Sequence, residues 1–107
     1  MTLYVGDVSP TTIPIVISTA LAADVVRVVV RSFTPAKLMI EWDMTPASST
    51  ATTVTLLRVL EAGDLPIAAP QGYVMRAWCY DSGDALIFTT DEFQGPAVFA
   101  QHVTPPT

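Results

Sequence analysis

Residues 24–33 read Asp24-Val25-Val26-Arg27-Val28-Val29-Val30-Arg31-Ser32-Phe33, and this stretch decides the fold class. Its even positions Val26, Val28 and Val30 are uniformly apolar, whereas the odd positions mix Val25, Val29 and Phe33 with Arg27 and Arg31. A period of two is the signature of an extended strand with one clean core face. Consecutive β-branched side chains also disfavour a helix, because each loses χ1 freedom there. The next run, 37–43, repeats the pattern more sharply: Leu38, Ile40 and Trp42 fall on the inward side, and Lys37, Glu41 and Asp43 on the outward side. Thr34-Pro35-Ala36 is a short connection in which proline fixes a turn, so the two runs form a hairpin.

Outward from this hairpin the chain continues in strands. Residues 44–51 (MTPASSTA) read as a polar, exposed loop without periodicity, followed by a strand at 52–60. Glu61 to Asp64 is a turn and Leu65 to Gln71 a proline-bounded crossing. Strands at 73–80 and 85–90 flank Asp81-Ser82-Gly83-Asp84, a hairpin turn in which Gly83 is expected to supply a positive φ. The stretch 91–96 breaks the ladder and 97–103 reads as a last strand, with weaker strands at 3–5 and 13–18. Only 18–24 (STALAAD) offers a helical turn, too short to stand alone. Thr104-Pro105-Pro106-Thr107 is expected to be an extended tail. Seven or eight short strands with turn signals about every ten residues predict one domain over 1–107 made of two packed antiparallel sheets, with a small closed barrel as the alternative.

The formal net charge of −5 comes from ten acids against five scattered bases: Arg27, Arg31, Lys37, Arg58 and Arg76. Phosphate-backbone affinity needs clustered Lys and Arg, so a nucleic-acid role is not expected. Charged residues make up only 14% of the chain, which leaves apolar surface poorly covered and favours burial against partners. The first seven residues carry an acid and no base, and Pro14 breaks the run 13–23, which is not the pattern of a secretory leader. The apolar region 13–30 contains Asp24 and Arg27 and falls short of the roughly 20 residues of a membrane span.

Chemistry is expected to be absent. With one cysteine, Cys79, and one histidine, His102, there is no disulfide and no zinc-ligand spacing. Asp81, Asp84, Asp91 and Glu92 fall close together but lack the alternating loop and bidentate Glu of a calcium site. Glu41, Asp43 and Glu92 occupy outward or loop positions, where a carboxylate is solvated rather than tuned for acid–base work. No glycine-rich phosphate loop and no nucleophile elbow occurs. The reading is a domain without enzyme activity, cofactor or metal.

The strand 73–80 offers a better candidate. Tyr73, Met75, Ala77 and Cys79 form an uncharged core side, whereas Val74, Arg76, Trp78 and Tyr80 form the other face. Trp, Tyr and Arg are enriched at binding hot spots, so Arg76, Trp78 and Tyr80 are candidate partner-binding residues. The competing reading makes Trp78 a core residue beside which Arg76 extends to solvent. The segment 1–4, including Leu3 and Tyr4, is a second candidate, able to add a strand either to its own sheet or to a neighbour's.

Three stretches carry a resemblance: Leu3-Tyr4-Val5-Gly6-Asp7, Gly63-Asp64-Leu65, and Gly72-Tyr73-Val74-Met75-Arg76-Ala77-Trp78 before the Asp-Ser-Gly-Asp hairpin. Their order resembles small immunoglobulin-like domains of tailed-bacteriophage virions, notably the N-terminal domain of baseplate upper proteins. This sequence departs from that pattern in having no long helical or fibrous extension after the domain. The resemblance implies an immunoglobulin-like antiparallel β-sandwich and a structural virion subunit, made in a host cytoplasm. It also implies contacts with other virion proteins in many copies or a homo-oligomeric ring. Tail tip or baseplate is the leading place. Capsid decoration or a head–tail connector is the runner-up, and a soluble ligand- or carbohydrate-binding sandwich is the rival from another class.

Overall fold

The computed structural model describes residues 3–6, 11–61 and 63–99. The described residues are all-β apart from one 3-10 turn at Ala22–Asp24, within the stretch expected to hold a helical turn. They form ten strands: β1 Leu3–Tyr4, β2 Thr12–Ser18, β3 Arg27–Phe33, β4 Met39–Met44, β5 Ser48–Ser49, β6 Thr53–Val59, β7 Val74–Tyr80, β8 Leu86–Thr89, β9 Phe93–Gln94 and β10 Val98–Phe99. Among the described residues no helix is long and apolar enough to cross a membrane.

Two sheets pack as a sandwich. One has the order β2-β6-β5; the other has β4-β3-β7-β8, with β9 pairing β7 beyond the end of β8. The β3–β4 hairpin expected from the sequence is present, in the register Phe33↔Met39 to Val28↔Met44. The remaining long pairings join distant segments: β3 lies antiparallel to β7, and β2 to β6. Ile13, Ile15 and Ile17 of β2 with Val54 and Leu56 of β6 face Val28, Val30, Trp42, Met75, Ala77 and Cys79 of the larger sheet, all of them buried. Alternation explains this directly, since every second side chain of each strand enters the space between the sheets.

Several expectations are corrected at strand ends. Val26 is exposed at 46% and Leu38 at 51%, although both continue an inward pattern. Regular strand begins at Arg27 and Met39. The Val26 amide still donates to the Tyr80 carbonyl and the Thr34 amide to the Leu38 carbonyl, but the alternation is broken there, so that Val25 is buried in place of Val26. The inward face of β3 is instead Val28, Val30 and Ser32. Residues 44–51 are not a structureless loop: Met44 ends β4 in the core, and Ser48–Ser49 pairs with β6. The break after β8 is short, because Phe93 and Gln94 pair again with Met75 and Val74. In the β7–β8 hairpin the positive φ falls on Asp84, at 62°, and not on Gly83. Asp81 Oδ1 holds this turn by accepting hydrogen bonds from the Gly83 and Ala85 amides, so the turn draws its shape from the aspartates.

β1 pairs in parallel with β10 of the same chain, Leu3 opposite Val98 and Tyr4 opposite Phe99. Ala69 bridges Val98 from the other side, and Leu3, Ala69 and Val98 are all buried. The expected tail 104–107, His102 and most of the expected strand 97–103 lie outside the described residues, as do Met1 and Asp7.

Among the described residues β2 has a partner on one side only, and its other edge has a defined polarity. Leu60 donates to the Thr11 carbonyl and Thr19 to the Thr52 carbonyl, which fixes the odd residues of β2 as those bonded to β6. Thr12, Pro14, Val16 and Ser18 therefore turn their backbone groups to the open edge. Pro14 sits where the sheet requires no N–H from it, and it removes a donor from an exposed edge.

Candidate functional site

The outer face of the five-stranded sheet gathers the side chains singled out on β7. Met75, Ala77 and Cys79 point inward and are buried; Arg76 is exposed, and Trp78 and Tyr80 are half-buried on the outside. Trp78 is thus not a core residue. Trp42 is the core tryptophan, at 1% exposure. Register places Arg27 opposite Tyr80, Val29 opposite Trp78 and Arg31 opposite Arg76, all on this face.

Guanidinium groups lie against both aromatic rings. The Arg27 Cζ is 5.0 Å from the Tyr80 ring centroid, and those of Arg31 and Arg76 are 5.2 and 5.9 Å from that of Trp78. These distances are within cation–π range. Arg27 Nε and Nη2 donate to the Asp43 carboxylate at 2.9 to 3.1 Å, and Nη1 donates to Asp84 at 2.8 Å. Hydrogen bonding from Arg27 holds the Asp43 carboxyl below the usual carboxylate range. Arg31 Nε donates to Glu41 at 3.1 Å. Arg76 differs from these two: its Nε donates to the Thr90 carbonyl at 3.0 Å, and it forms no ion pair among the described residues. Glu41 and Asp43 therefore serve as counter-charges to arginines on the same face.

Leu3 and Tyr4 fare differently from the β7 residues. Leu3 has no exposed surface and is consumed by this chain's own core, so it is withdrawn from the contact candidates. Tyr4 is half-buried, its ring 6.3 Å from that of Phe99. Asp81 and Asp84 are engaged in the hairpin turn and with Arg27. Among the described residues no three of His, Cys, Asp or Glu converge on a metal-sized site. Burial pushes the Cys79 thiol pKa up, which keeps it protonated and unreactive.

A second surface escaped the sequence reading. Arg58 is the sole charge on β2, β5 and β6, and it turns inward over the Trp42 ring at 5.2 Å. Its register partner Ile13 is buried, on the same side of the sheet. The outer face of the three-stranded sheet is consequently uncharged, with Pro14, Val16, Leu57 and Val59 exposed. The available signal was the absence of charge at 53, 55, 57 and 59. The two outer faces of the sandwich thus differ in kind, one uncharged, with hydroxyl and aliphatic side chains, and the other built of arginine and aromatic side chains.

Comparison of the chain with protein-family models, with curated proteins and with solved structures gives no match.

Proposed function

We propose that this chain is an immunoglobulin-like domain serving as a non-enzymatic structural subunit of a tailed-bacteriophage virion, at the tail tip or baseplate, through protein–protein contacts. The observation that carries the contact reading is the clustering of Arg27, Arg31, Arg76, Trp78 and Tyr80 on one open sheet face. These side-chain types bury large areas while keeping polar ends, and they dominate binding energy at interfaces.

The immunoglobulin-like part draws support from strand order. In that fold strands B, E and D share one sheet, and C′, C, F and G the other. The orders β2-β6-β5 and β4-β3-β7-β8 follow the same succession. Tyr73, just before β7, donates its hydroxyl hydrogen bond back to the Ile67 carbonyl. This is the arrangement of the tyrosine corner that precedes strand F. The virion part rests on the resemblance of the stretches 3–7, 63–65 and 72–78. A capsid-decorating or head–tail connector role uses the same contact chemistry elsewhere on the particle. A carbohydrate platform is less well supported, because arginines already lie against the Trp78 ring.

Immunogold microscopy of intact particles from the source that encodes this chain tests the reading. Label at the tail tip is the expected result. Label on the capsid favours decoration, and absence of the chain from particles ends the virion reading. Trp78→Ala tests the face itself: loss of particle incorporation with an unchanged Tm is expected. Unchanged incorporation with a lowered Tm would reduce Trp78 to a structural role.

A further inference from the structure

We draw no further inference here: the strongest candidate, the uncharged outer face of the three-stranded sheet around Val16, Leu57 and Val59 with the edge of β2 beside it, is an unpartnered surface, and nothing in the structure shows what covers it.

Discussion

Trp42 donates its indole Nε1–H to Asp64 Oδ1 at 3.1 Å, and both residues are buried. The same carboxylate accepts from Arg58 Nε and Nη2, each at 3.1 Å, and from the Glu61 amide at 2.9 Å. One acid thus ties β4 of the larger sheet to β6 of the smaller and closes the turn that follows it. A buried carboxylate is tolerated only when its acceptor sites are filled, and here each oxygen receives two donors.

Asp64→Asn keeps the shape of this junction and removes the charge, leaving the largely enclosed Arg58 guanidinium with only the exposed Glu61 carboxylate, 3.3 Å from Nη2, as counterion. Stability should fall by about 3 kcal/mol, the lower part of the range for breaking a buried pair, because Arg58 retains some access to water. Trp42→Phe should cost less through the lost hydrogen bond alone, about 1–2 kcal/mol, plus a packing contribution. Urea denaturation of both variants and of their combination checks the coupling, which should be clearly non-additive.

Gly72 has φ +83°, and a Cβ there would lie 2.0 Å from the Gly95 carbonyl oxygen. The oxygen belongs to the backbone and the Cβ is rigidly placed by it, so neither can swing aside. Gly72→Ala should destabilise by more than about 3 kcal/mol or prevent folding, since strain and overlap add. Gly83→Ala should cost under about 1 kcal/mol, because Gly83 does not adopt a positive φ and meets only Asp81 Oδ1 at 3.4 Å. Thermal melts of the pair test the contrast.

Alkaline pH should weaken the fold. Burial raises the pKa of both the Cys79 thiol and the Tyr73 hydroxyl above their ordinary values. A group with a raised folded pKa contributes fully below its unfolded value and loses that contribution as pH climbs through the folded one. The urea midpoint should therefore hold steady from neutral to about pH 8.5 and decline above it. Cys79→Ala and Tyr73→Phe should each flatten part of that decline.

Pro14→Val restores an N–H that points away from β6 to the open edge of the sheet. The folded state should change by less than about 0.5 kcal/mol, as for other exposed edge positions. Aggregation should rise, because the edge becomes a continuous template for another strand. Light scattering during prolonged incubation at high concentration reads the difference.

The long strands were legible, because alternation at 27–33, 39–44 and 74–80 follows from the pleat alone, whereas the two-residue strands β5 and β9, too short to show a period, were read as a loop and a break. Partnership was legible only where a short turn enforced it, as between β3 and β4. The pairings of β3 with β7 and of β2 with β6 depend on the whole core closing, and no local residue encodes them. Val26 and Leu38 misled because the periodic pattern continues in the sequence beyond the ends of the regular strands, where the pleat breaks and the side chains turn outward. Arg58 misled more instructively. On β6 the charge lies inside and Leu57 and Val59 outside, the inverse of the usual partition. Only Asp64, six residues later, makes that arrangement stable. On the candidate site, Arg76, Trp78 and Tyr80 were placed on the correct side of β7 by their spacing. Arg27 and Arg31, which complete the cluster, could be joined to them only by the β3–β7 register.

Among the described residues the smaller sheet's outer surface bears no ionisable group, so a change of pH leaves its charge as it is. The opposite surface, rich in guanidinium and carboxylate, responds to proton and electrolyte concentration. A neighbour packed on the guanidinium-bearing surface would therefore be released by brine before one packed on the uncharged surface.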